Sequence, residues 1–190
     1  MKIPILLFAL SLVDTAHADC AGMFAAHRTA DMTLPYARFD QTEGSGFRVL
    51  ATAGCYLEAE QLIVLYVKVH DEDNDALWWH AAQMAASAGD YSLATRHAKR
   101  SIATPRPADA DPLLWNEYVL ASMAFFERDK PGLQRYRDFI ASNDHDFWGN
   151  RLNVNLLDTM LENFDLGYAQ IGEKAMKRWA ARPQAKPPGP

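Results

Sequence analysis

The clearest regular pattern in the chain runs from Asp75 to Arg100, where apolar and alanine positions recur at helical spacing and are interrupted once, at Ala88-Gly89-Asp90. The pattern predicts a helix over about Asp75 to Ser87, with Asp75 as N-cap, and a second from Tyr91 to Ala103, stopped by Pro105 and Pro107. Ala81, Ala82, Ala85 and Ala86 line the first and Ala94 and Ala98 the second, and side chains this small let two helices approach closely. A further pair is expected after Asp111, with Pro112 opening one helix and Asp129-Lys130-Pro131 turning into another that ends near Ala141. Phe147 to Phe164 and Tyr168 to Ala180 read as a closing pair joined at Asp165-Leu166-Gly167.

Two stretches are less regular. Leu62 to Val69 is rich in β-branched and aromatic residues, as a buried strand would be. The helix formers Leu57 to Gln61 lead directly into it and no other stretch offers a strand partner, so a helix wedged between its neighbours is the expectation. Between residues 20 and 46, Gly22, Pro35, Gly44 and Gly46 break the chain up, leaving one short helix near Cys20 to Thr29 followed by a loop.

The beginning of the chain has the three parts of an export signal: Lys2, the apolar run Ile3 to Val13, and a small-x-small site at Ala16-His17-Ala18. Residues 1–18 are read as a signal peptide cleaved after Ala18, and the apolar run is too short for the roughly 20 residues that cross a bilayer. Asp19, where a lipoprotein signal has Gly or Ala, argues against acylation of Cys20. Residues 19–180 then form the helical domain, and 181–190, with four prolines and a glycine, a disordered tail. The implied location is periplasmic or secreted. Both cysteines belong to the exported part, so a single Cys20–Cys55 disulfide is the natural pairing.

Charge narrows the partners. The chain has a formal net charge of −5, unchanged by loss of Lys2 and Asp14, and has no basic stripe interleaved with aromatics. That disfavours nucleic acid and equally an anionic lipid surface.

Internal repetition is the most informative signal: Gly54-Cys55-Tyr56 with Ala59 recurs as Gly89-Asp90-Tyr91 with Ala94, an offset of 35 residues. The chain resembles the tetratricopeptide repeat, whose unit carries W-x2-L-G-x2-Y on its first helix, A-x3-F on its second and a closing Pro. Trp78 matches the Trp, Ala94 the Ala and Pro105 the Pro, Ala81-Ala82 stand for Leu-Gly, and Ala85 and Ala98 replace the Tyr and Phe. Trp115-x2-Tyr118-Val119-x2-Ser122 echoes the same spacing 37 residues on. The likeness covers roughly residues 40–142 and implies an all-α, right-handed stack of antiparallel helix hairpins with about six to eight helices. It also implies that Trp79, Gln83, Ser87, Asn116, Leu120 and Met123 face a concave groove; Trp78, Trp115 and Phe125-Phe126 are read as core, the default for aromatic residues.

Candidate chemistry adds little. Asp71, Asp73 and Asp75 have the spacing of the first calcium-loop ligands, but Ala76 and Ala82 stand where that loop needs Gly and Glu. No two histidines have zinc-site spacing on a helix, and Asp144-His145-Asp146 reads as a capped helix start before Phe147. No nucleophile elbow, phosphate loop or dinucleotide fingerprint is present, so the reading is of a protein without metal, cofactor or catalytic residues. Its partner is expected to be a protein or peptide bound in the groove, as befits an envelope scaffold. Two alternatives are an inhibitor of a toxin or hydrolase, and an enzyme using a carboxylate pair such as Glu117 and Glu127 in a helical cleft.

Overall fold

The computed structural model describes residues 18–70, 74–103, 112–144 and 146–182. The expected signal peptide up to His17, the acidic residues Asp71 to Asp73, Pro105, Pro107, Asp111, His145 and the tail beyond Arg182 lie outside them.

Among the described residues every regular element is helical: α1 (Cys20–Ala30), a 3-10 turn (Asp31–Thr33), α2 (Tyr36–Asp40), α3 (Phe47–Thr52), α4 (Tyr56–His70), α5 (Asp75–Ser87), α6 (Tyr91–Arg100), α7 (Trp115–Phe126), α8 (Lys130–Ser142), α9 (Trp148–Glu162) and α10 (Tyr168–Ala180). Ten α-helices exceed the six to eight expected. The surplus is α2 and α3, too short at five and six residues to show a helical period in the sequence. Leu62 to Val69 is helix, inside α4.

One turn recurs three times. Helices α3, α5 and α7 each end in a residue of left-handed backbone, Gly54 (φ 80°), Gly89 (φ 85°) and Arg128 (φ 61°). The next N–H bonds back five residues, Cys55 to Leu50, Asp90 to Ala85 and Asp129 to Ala124. This closes the helix with a left-handed cap and starts the next one at once. Asp90 and Asp129 then cap α6 and α8 by accepting from Leu93 N and Gly132 N. The shared Gly-x-Tyr of the sequence repeat is therefore a shared turn.

Other helix starts differ from expectation. Asn74 rather than Asp75 caps α5, its Oδ1 accepting from Ala76 N and Leu77 N. Pro112 precedes α7 instead of opening it, because Asn150 of α9 takes both the Pro112 carbonyl and the Leu114 N–H, holding 112–114 outside the helix. Helix α9 starts after Phe147 without a side-chain cap.

Helices adjacent in the chain pack on one another from α3 to α10, and α10 also reaches back to α5. Two apolar cores result. The first holds Phe39, Phe47, Leu50, Leu62, Ile63, Tyr66, Leu77 and Trp78, and the second Trp79, Ala82, Ala85, Val119, Phe125, Leu133, Leu157 and Ile171. Helix α5 contributes to both. Leu77, Trp78 and Ala81 face the first, while Trp79, Ala82, Ala85 and Ala86 face the second.

The buried carboxylates of the N-terminal half are each met by a histidine: Asp31 by His27 at 2.8 Å, Asp40 by His80 at 2.5 Å and Glu60 by His97 at 2.6 Å. The last two pairs tie α2 to α5 and α4 to α6. A Cys20–Cys55 disulfide pins α1 to the α3–α4 turn, as the cysteine count implied. It fits an oxidising, extracytoplasmic compartment. No helix among the described residues is long and apolar enough to cross a membrane.

Candidate functional site

A cleft of about 330 Å³ opens where α10 closes over α5, α7 and α9. Its apolar surface comes from Met84 on α5, Tyr118 on α7, Leu152 and Leu156 on α9, and Tyr168 and Met176 on α10. Gln83, Ser87, Asn153 and Asn155 add amide and hydroxyl groups, and among the described residues no charged side chain lines it. Recognition sites are commonly of this kind, mostly apolar with a few placed polar groups.

Position in the fold explains each part. Leu152 and Leu156 stand one turn apart on α9, and Tyr168, Gly172 and Met176 at successive turns of α10, so each helix offers one stripe. Charged contacts fix α10: Arg178 reaches Glu162 at 2.8 Å and Asp158 at 3.5 Å, and Asp158 also accepts from Arg137 of α8 at 2.6 Å. Asn155 donates to the Ala175 carbonyl of α10 at 2.9 Å. Gly172 leaves the cleft open, since a Cβ built there meets no atom within 4 Å.

Two tyrosines form the floor. The Gln83 amide donates to the Tyr168 hydroxyl at 3.3 Å, bridging α5 to α10. Burial raises the Tyr118 hydroxyl well above the ordinary phenol value, and neighbouring Tyr168 raises it further. Tyr168 is likewise raised by burial. Both rings are therefore neutral hydrogen-bonding groups at physiological pH. Asn155 Oδ1 is buried beside the cleft with no hydrogen-bond partner among the described residues.

Of the six residues expected to face a groove, Gln83 and Ser87 line the cleft. Trp79 does not face an opening. It is 3 % exposed, edge-on to Tyr118 and Trp115 at 5.2 and 6.2 Å. Met123 is buried in the same core and Leu120 packs against it. Asn116 is structural, with its side chain bonded to both the N–H and the carbonyl of Ala103. Of the expected core residues, Trp78, Phe125 and Phe126 are buried, and Trp115 is partly buried against the second core.

The lining residues missed by repeat spacing are Met84 and Tyr118 within the stretch resembling the repeat and, outside it, those of α9 and α10. A signal for the last group exists. Gly172 sits mid-helix, where it costs about 1 kcal/mol against Ala, and such a residue asks for a reason.

Other candidates resolve simply. Cys20, Cys55 and Glu58 approach within 4.8 Å of one another, but the two sulfurs are bonded together and are not the thiolates a metal requires. Glu117 lies in α7 and Glu127 caps its far end, about 15 Å along the axis at 1.5 Å per residue, so the two do not form a carboxylate pair. Comparison of the chain with protein-family models, curated proteins and solved structures finds no match.

Proposed function

We propose that the protein works by recognition, seating a segment of a protein or peptide partner in the cleft between α5, α7, α9 and α10. In this reading the chain is an exported scaffold of the cell envelope, with residues 1–18 removed on export. The helices stack as right-handed antiparallel hairpins of the tetratricopeptide kind, and α10 narrows their concave side to a cleft. The observation that carries the reading is the lining itself, apolar side chains from four helices around a space that Gly172 keeps open. The three left-handed turns at Gly54, Gly89 and Arg128 support the repeat.

The test is affinity capture from envelope extract with the wild-type protein and with Gly172→Leu. The substitution projects a side chain into the cleft from a position where a Cβ meets no neighbour, and a circular dichroism spectrum and melting temperature matching wild type are the check that the fold is kept. Retention of one partner by wild type and its loss with Gly172→Leu supports the reading. Equal capture by both proteins overturns it.

A further inference from the structure

The two most exposed large apolar side chains among the described residues are Met176 and Trp148, at 62 % and 60 %. Met176 lines the cleft, and Trp148 stands one helical turn before the lining residue Leu152 on α9. On α10 the lining positions Tyr168, Gly172, Ala175 and Met176 continue at helical spacing to the half-buried Trp179. Arg182 follows three residues on and lays its guanidinium over the Trp179 ring, 4.9 Å from the centroid. The last described residue therefore leaves α10 on the side that the cleft occupies, where Met176 and Trp179 are still partly open to solvent.

The sequence after Arg182 has the chemistry to cover that surface. Residues 183–190 read Pro-Gln-Ala-Lys-Pro-Pro-Gly-Pro, with Pro187 and Pro190 in P-x-x-P spacing. Such segments favour the polyproline II conformation, three residues per turn, which puts those two prolines on one face, and the grooves that bind them are lined by aromatic rings. Tyr118 and Tyr168 floor the cleft and Trp179 extends its α10 wall. Gln83 and Asn153 bring amides able to donate to the carbonyls that a polyproline II chain leaves unpaired. Charge agrees: among the described residues no charged side chain lines the cleft, and Pro187 to Pro190 carry none. Lys186, the one ion of the segment, is opposite in sign to Glu173, exposed on α10 between Gly172 and Met176.

Reach is sufficient. With Pro183 to Ala185 used to reverse direction, the stretch from Lys186 to Pro190 extends about 15 Å in polyproline II. The way back along α10 from Arg182 to Gly172 is also about 15 Å at the helical rise. Resting on the recognition cleft proposed above, we infer that residues 183–190 fold back along α10 and lay Pro187 and Pro190 in the cleft, so that the chain's own tail holds the site until a partner displaces it. Weak contact is enough, since a segment on a short tether sees its site at a millimolar effective concentration. The partner's apparent affinity then falls in proportion to the fraction of clefts left open.

Nuclear magnetic resonance on the full isotope-labelled chain tests this through the backbone amides of Gln184, Lys186 and Gly189. Their order parameters are expected above about 0.6, the upper limit of flexible backbone. Pro187→Ser, Pro188→Ser and Pro190→Ser together should bring them below it, as should Gly172→Leu, which occupies the cleft from the α10 wall. The triple-serine chain should also capture several-fold more partner from envelope extract than wild type does. Flexible amides in wild type, or order unchanged by Gly172→Leu, overturn the inference; partner capture that Gly172→Leu abolishes then leaves the cleft reading standing alone. An ordered tail with no partner captured even by the triple-serine chain supports the docking and overturns the recognition reading. Equal capture by wild type and the triple-serine chain overturns the competition. Ordering that fades on dilution assigns the segment to the cleft of a second copy and overturns closure within one chain.

Discussion

His97 Nε2 lies 2.6 Å from Glu60 Oε1, joining α6 to α4 through a pair of buried residues. Trp78 stacks on the same imidazole at 5.5 Å, and the Arg100 guanidinium lies over the indole at 3.4 Å. A carboxylate is tolerated in this core only because an imidazole meets it. Loss of either partner leaves the other buried and unanswered, which costs about 3 to 5 kcal/mol. Glu60→Ala and His97→Ala are each expected to destabilise by that order, and the double variant by clearly less than their sum. Denaturant titration of the four proteins measures the coupling; additive losses would show that the contact contributes nothing as a pair.

Reduction should loosen the N-terminal end selectively. The disulfide spans 35 residues and joins α1, a helix with no fully buried side chain, to the α3–α4 turn. Closing a loop of that length stabilises by about 3 to 4 kcal/mol on the chain-entropy account. Cys20→Ala with Cys55→Ala should lose about that much, with hydrogen exchange rising first in residues 20–30. Uniform exchange across all helices would argue that α1 is held by something else.

Alkali should act through the cleft floor. Tyr118 and Tyr168 are raised above the ordinary value near 10, so the folded protein keeps their protons at pH values where the unfolded chain releases them. Their contribution is complete below about pH 10 and falls as pH rises through and beyond it. Denaturation midpoints should therefore decline above pH 10, and less steeply for Tyr118→Phe than for wild type. Parallel declines would place the alkaline transition elsewhere.

Filling the open side of α10 modestly should stabilise the protein. Gly172→Ala gains helix propensity worth about 0.5 to 1 kcal/mol and meets no atom, so the melting temperature should rise by a few degrees. A fall would mean that the position is tighter than its surroundings indicate.

Helices of ten residues or more were legible because their period and turn residues agree: α10 begins at Tyr168 and ends at Ala180 as read, and Ala88-Gly89-Asp90 is the turn it spells. What escaped was governed by tertiary contact. Asn150 holds Pro112 out of α7, an effect 38 residues distant, and α2 and α3 are too short for periodicity. Trp79 misled for a related reason. A helix whose apolar residues surround it has no face that the sequence can assign to solvent, and it is Trp115 and Tyr118 of α7 that cover Trp79. Gln83 and Ser87, turned toward a groove by the repeat resemblance, line the cleft on the same helix.

The double role of α5 bears on the order in which a chain emerging N-terminus first can mature. The first core is complete once Leu77, Trp78 and Ala81 have emerged, so residues 18–87 can consolidate early around the disulfide. At that moment the opposite side of α5 presents Trp79, Ala82, Ala85 and Ala86 with nothing yet to cover them. That sticky stripe persists until α6 and α7 arrive, and is sealed only by α10, the last helix out. The molecule is thus most vulnerable to aggregation half-made, and the helix that completes its cleft is also the one that ends its exposure.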